Sequence, residues 1–140
     1  MNKKETVLVC VTPQQSSEKL VEAGRTIASD IGANLEVISV LPLDSIENKN
    51  IKILDSLYET AFSAGGEMAV YFSDEPVLTI IAHLAKTQPS CLVVGFPGEN
   101  SNGLVSTVRL LLPKQPICMV DGQKLYNILP SSNSQPLCVR

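Results

Sequence analysis

Gly95, Gly98, Ser101, Gly103 and Ser106 lie close together, between the apolar run Cys91-Leu92-Val93-Val94 and a second apolar stretch that opens at Leu104. Glycine lets backbone amides come close to a ligand, and serine adds a hydroxyl. A helix opening at Leu104 presents unpaired amides and the positive end of its dipole. Together these features describe a cradle for phosphate oxygens at the end of a buried strand. Glu99 places a carboxylate in the same loop, which opposes an anionic ligand. In an open parallel sheet, ligands bind outside the carboxyl ends of the strands, so the position of this loop matters as much as its composition.

Other reactive side chains are sparse. The chain has four cysteines (Cys10, Cys91, Cys118 and Cys138), one histidine (His83) and no Cys-x-x-Cys spacing, which gives metal binding little support. Cys10, Cys91 and Cys118 lie in or beside apolar runs and read as reduced thiols packed as small hydrophobes, which leaves Cys138 as the reactive one. His83 falls beside the apolar stripe of its helix, with no acid, cysteine or serine at a triad-like spacing. It reads as a surface residue.

The elements that must carry the loop follow from hydrophobic periodicity. Thr6-Val7-Leu8-Val9-Cys10-Val11 is a continuous apolar run rich in β-branched residues, the pattern of a central strand buried on both faces. Thr12-Pro13-Gln14-Gln15-Ser16-Ser17 is a loop, and Leu20, Ala23, Ile27 and Ile31 then recur at helical spacing until Gly32. A second strand runs over 34–41 and stops at Pro42. A second helical pattern opens at Asp44-Ser45 and ends at Gly65-Gly66, with the aromatic pair Tyr58 and Phe62 in its apolar stripe and therefore expected in the core. The third strand is expected over 68–72, and Ser73-Asp74-Glu75-Pro76 starts a helix that buries Val77, Ile80, Ile81, Leu84 and Ala85. After the glycine loop come a short helix over 104–112 and a fifth strand over 116–120. Strict alternation of five strands and four helices predicts a doubly wound α/β sheet. Past Asp121-Gly122, Leu125, Tyr126, Ile128 and Leu129 either add a strand or pack on a neighbour.

The chain has 140 residues, 44% hydrophobic and 18% charged, enough for one globular core. The expected organisation is one domain over 1–121 and a partly mobile tail over 122–140. A net charge of -3 gives no general attraction to nucleic acid or to an anionic membrane. No apolar run approaches the roughly 20 residues that span a bilayer, and Met1-Asn2-Lys3-Lys4-Glu5 leads into too short a strand for a signal peptide. The expectation is a cytoplasmic protein without membrane insertion.

The order of elements, together with Val7-Leu8-Val9-Cys10-Val11-Thr12-Pro13, Ser16-Ser17-Glu18-Lys19-Leu20 and Val93-Val94-Gly95-x-x-Gly98, resembles the universal stress protein family. The likeness covers roughly residues 5 to 121. Its nearest form is the variant inside the potassium-sensing histidine kinase KdpD, where a Val-Cys-Val strand precedes a Ser/Pro loop and a Ser-Glu helix start. The resemblance implies a five-stranded parallel sheet in the order 3-2-1-4-5, a Rossmann-like three-layer sandwich of the adenine nucleotide alpha hydrolase type. It also implies a homodimer through the last strand, which would otherwise be an open edge. Nucleotide-binding members carry Gly-x-x-Gly, nine further residues, then Gly-Ser or Gly-Thr. Here Gly95 and Gly98 match the first pair, but Gly103 follows after only four residues and Leu104 stands at the hydroxyl position. The loop is thus shorter by five residues, with Ser101, Ser106 and Thr107 as the hydroxyls left to replace the lost one.

In ATP-binding members an aspartate follows the first strand; this chain has Thr12 there. Some kinase-type domains bind cyclic di-AMP through Ser-x-Ser and, twenty residues on, Phe-Thr-Ala-x-Tyr. The spacing sets Thr12-Pro13-Gln14 and Leu35-Glu36-Val37-Ile38-Ser39 against these, with the aromatic stacking residues lost. The candidate ligand-binding set is Thr12, Pro13, Val40, Gly95, Gly98, Ser101, Gly103 and Ser106. The resemblance implies a non-catalytic binding or signalling domain, with ATP or AMP as the ligand in view, cyclic di-AMP behind them, and no certain cofactor. A nucleotide-hydrolysing enzyme of this fold is the alternative. Phosphate chemistry needs several cations or a metal, and only Arg109 and Lys114 follow the loop. A flavodoxin-like carrier shares the sheet, but aromatic residues make up 4% of the chain, Trp is absent and the first loop lacks a Ser/Thr-Gly run.

Overall fold

The computed structural model describes residues 5–11, 17–43, 50–95, 103–121 and 124–128. Strand β1 (Thr6–Val11) is followed by helix α1 (Ser17–Ile31), β2 (Asn34–Leu41), α2 (Asn50–Ser63), β3 (Glu67–Phe72), α3 (Pro76–Thr87), β4 (Cys91–Gly95), α4 (Leu104–Leu111), β5 (Ile117–Asp121) and β6 (Lys124–Ile128). The sheet order is β3-β2-β1-β4-β5-β6. The first five strands are parallel, in the expected order, and β6 joins β5 antiparallel, from Asp121 opposite Lys124 to Ile117 opposite Ile128. Of the two readings of the segment after Asp121, the added strand is the one observed. The sheet therefore continues past the expected domain boundary at 121, and the remainder of the tail lies outside the described residues.

Topology decides which helix covers which face. Parallel crossovers are right-handed, so the chain lays α1 and α2 on one face as it steps from β1 to β2 to β3. It then reverses direction to reach β4, which puts α3 and α4 on the other face. Strand alternation supplies both layers. Val7, Val9, Leu35, Val37 and Val93 pack with Val21, Leu57 and Ala61 in one core, and Leu8, Ile38, Leu92 and Ile117 pack with Ile80, Leu84 and Val108 in the second. Val7, Leu8 and Val9 are fully buried, the outcome expected of a central strand covered on both sides.

Two glycines set close contacts around Leu35. A Cβ added at Gly24 in α1 would clash with Val9 Cγ2, and one at Gly66 would lie 2.8 Å from the Leu35 carbonyl oxygen. Both contacts are below the closest approach of real Cβ atoms, so only glycine lets α1 and the start of β3 sit this near the sheet.

Three helix faces differ from expectation. The buried stripe of α1 is Leu20, Val21, Ile27 and Ala28, while Ile31 is largely exposed. On α2 the buried residues among those with described side chains are Leu57 and Ala61; Tyr58 is 54% and Phe62 73% exposed, so this aromatic pair is not core. Each aromatic is one position, about 100° of helix, past a buried residue, and α2 lies toward the β3 edge of the sheet, where no further described element covers it. On α3 the buried set is Ile80, His83 and Leu84, so His83 is an interior residue and the surface assignment is corrected.

Candidate functional site

The chain reverses direction between β1 and β4, which are neighbours in the sheet. The helices that follow them, α1 and α4, lie on opposite faces of the sheet, the arrangement that in such sheets opens a crevice at the carboxyl ends of the two strands. Gly95 is the last residue of β4 and is exposed. Among the described residues a Cβ there would meet only Leu20 Cδ2 of α1, at 3.8 Å, so these residues leave the strand end open to a neighbouring group. Gly103 is the N-cap of α4, in the left-handed region at φ 71°, with no side-chain cap. Its carbonyl accepts the first helical hydrogen bond, from the Thr107 amide at 2.9 Å. With no capping side chain, the first-turn amides of α4 have no side-chain acceptor at Gly103. Ser106 is exposed in that first turn, and Val40, half-buried near the end of β2, packs against the second core. Gly95, Gly103 and Ser106 thus bracket the β4–α4 connection. Thr12, Pro13, Gly98 and Ser101 lie outside the described residues, as does Glu99.

Ser39 was not singled out for its hydroxyl, and it is the unusual polar group near this end of the sheet. It is fully buried, opposite Val11 on β1, and its Oγ has no hydrogen-bond partner among the described residues. The signal was one serine inside the apolar run of β2. An unsatisfied buried hydroxyl costs about 1 to 3 kcal/mol, so Ser39→Ala is expected to stabilise the ligand-free protein by about 1 kcal/mol in a denaturant titration. A loss of stability would show that the hydroxyl is satisfied in solution.

A second polar cluster joins three elements. The His83 Nδ1 lies 3.0 Å from the Tyr71 hydroxyl on β3, and its Nε2 lies 3.3 Å from Glu36 Oε1 on β2. A carboxylate only accepts, so Nε2 carries the hydrogen, and in the neutral ring Nδ1 accepts the Tyr71 O–H. The Tyr71 and His83 rings meet edge to face at 5.8 Å. This hydroxyl–imidazole–carboxylate order is that of an activated nucleophile. It is built on β2, β3 and α3, away from the β1–β4 crevice.

The described cysteines fall in two places, and Cys138, the thiol expected to be reactive, lies outside the described residues. Cys91 and Cys118, on neighbouring strands, bring their sulfurs to 3.0 Å in the first core. Burial pushes the Cys10 thiol up from 9.0 to about 12, and it does the same to Cys91. The folded chain therefore holds the Cys10 proton to higher pH than the unfolded chain does. Stability from this source is present below about pH 9 and falls as pH rises toward 12. At pH 8, iodoacetamide is expected to modify Cys10 at least about a hundredfold more slowly in native than in urea-unfolded protein, read by mass spectrometry. Equal rates would contradict the burial. Among the described residues no group of three or more His, Cys, Asp or Glu can hold a metal ion, and no helix is long and apolar enough to cross a membrane.

No protein-family model matches the sequence, and no curated protein matches it either. Solved structures do match the fold. A universal stress protein in complex with cAMP superposes with a TM-score of 0.63 at 20% identity, covering 86% of this chain and 98% of that one. The universal stress protein from Archaeoglobus fulgidus gives 0.60 at 16% identity, covering 82% and 92%. The Archaeoglobus fulgidus protein in complex with dAMP gives 0.56 at 16% identity, covering 85% and 98%.

Proposed function

We infer that this chain is an adenine-nucleotide-binding regulatory domain of universal stress protein type. It is non-catalytic, and its β4–α4 phosphate loop is shortened. The observation that carries this reading is the pairing of an open Gly95 with an uncapped α4 start at Gly103, set at the β1–β4 switch point. Two structures of the same fold hold adenine nucleotides, cAMP and dAMP, which supports a monophosphate more than a triphosphate here. The loop, five residues shorter than the family pattern and carrying Glu99, also disfavours the longer anionic chain of ATP. Cyclic di-AMP fits less well. Leu35 and Ser39, at the positions of its stacking residues, are buried under the helices and offer no platform for a base. KdpD-like sensing and a cytoplasmic location belong to the same reading. So does a homodimer through the last strand, now at the outer edge of β6, because β6 already covers β5.

Calorimetry with AMP, cAMP and ATP tests this function. AMP or cAMP is expected to bind saturably and more tightly than ATP, without release of product. Gly95→Glu, which the open space at Gly95 accommodates, is expected to weaken binding by about tenfold or more by placing a charge at the cradle. No binding by any of the three would refute the nucleotide reading, and turnover of ATP would refute the non-catalytic one. A mass in light scattering that stays at one chain at micromolar concentration would refute the dimer.

A further inference from the structure

Among the described residues strand β3 is one edge of the sheet, bonded only to β2, and so presents to them a free row of backbone donors and acceptors. Natural edges are blunted by proline, lysine, bulges or a covering element. The sequence of β3, Glu67-Met68-Ala69-Val70-Tyr71-Phe72, contains no proline and no lysine. Val70 and Phe72 share a strand face with Met68, which packs on the α1–α2 core, and each is more than a third exposed. On the same side of the sheet, α2 exposes Tyr58 and Phe62.

Charge sets the occupant. Between residues 55 and 75 the chain carries Asp55, Glu59, Glu67, Asp74 and Glu75, all exposed, and no basic residue. Among the described residues none of these five carboxylates forms an ion pair. A second copy paired through β3 would bring two such acidic edges together, and like charges across paired strands are destabilising. An extended segment that alternates apolar and basic side chains meets both requirements: its backbone completes the sheet, its apolar side chains reach Val70 and Phe72, and its cations meet the carboxylates.

We propose that the β3 edge is a docking site for an extended, basic segment of a partner protein, which adds to the sheet as a further strand. The test is a display selection of random peptides of about twelve residues on the full chain, followed by hydrogen exchange with a selected peptide. Enriched sequences are expected to alternate Lys or Arg with apolar residues and to slow exchange of the β3 amides. Their affinity is expected to fall at least tenfold between about 0.05 and 0.5 M salt. The double variant Glu59→Lys, Glu67→Lys changes exposed side chains only and is expected to keep the fold while weakening the peptide by about tenfold. A selection that enriches nothing, or enriches peptides without basic residues, overturns the proposal. So does protection that maps away from β3, or self-association of the chain that protects β3 without peptide.

Discussion

Gly24→Ala is expected to destabilise the protein by about 2 kcal/mol, a fall in melting temperature of about 6 °C, although alanine is the better helix former. Propensity alone would favour the substitution by about 1 kcal/mol. Against this stands the added Cβ, which would clash with Val9 Cγ2. Val9 is fully buried on the central strand and β-branched, so its methyl has nowhere to turn without displacing Leu35 or Val93 in the same core. Overpacking of this kind costs about 1 to 3 kcal/mol and sometimes more. The double variant Gly24→Ala, Val9→Ala checks the cause. With the Val9 methyls gone, the alanine at 24 is expected to cost nothing or to stabilise, giving a coupling of at least about 2 kcal/mol. Additive losses would mean that α1 shifts as a body. Such a shift would also move Leu20 away from Gly95 and widen the β1–β4 crevice.

The strands covered on both faces were readable from sequence because burial on both sides removes alternation and leaves an uninterrupted apolar run. Val7-Leu8-Val9 and Leu92-Val93-Val94 carry that pattern, and both are interior. Helix faces were less readable, because a run such as Leu57-Tyr58 and Ala61-Phe62 makes a stripe wider than the face a helix can bury on one sheet. Which half turns inward depends on what lies beside the helix, and α2 lies over an open edge. For strand β6, Lys124-Leu125-Tyr126-Asn127-Ile128 is short and mixed and fits two readings, and its place is set by the antiparallel return from β5. For the candidate site, glycine spacing located the end of β4 and the start of α4. It could not reveal that Ser39 would be buried without a partner, since that depends on packing from elements distant in sequence.

The same limit explains His83, whose acid partner Glu36 is 47 residues away in sequence and on another element. His83→Ala is expected to cost about 3 kcal/mol in denaturant unfolding. The loss combines a cavity under α3 with two broken hydrogen bonds, one of them to a carboxylate. A surface histidine would cost within about 0.5 kcal/mol, so the two assignments are well separated. Tyr71→Phe removes only the hydroxyl and is expected to cost about 1 kcal/mol in the parent chain, by leaving Nδ1 without its donor. In the His83→Ala background the hydroxyl has already lost that partner, so the same change is expected to cost close to nothing. A coupling near 1 kcal/mol between the two positions therefore measures the Tyr71–His83 bond itself. Strict additivity would mean that the ring is held by packing alone, and that the chain from β3 through α3 to β2 transmits nothing between those elements.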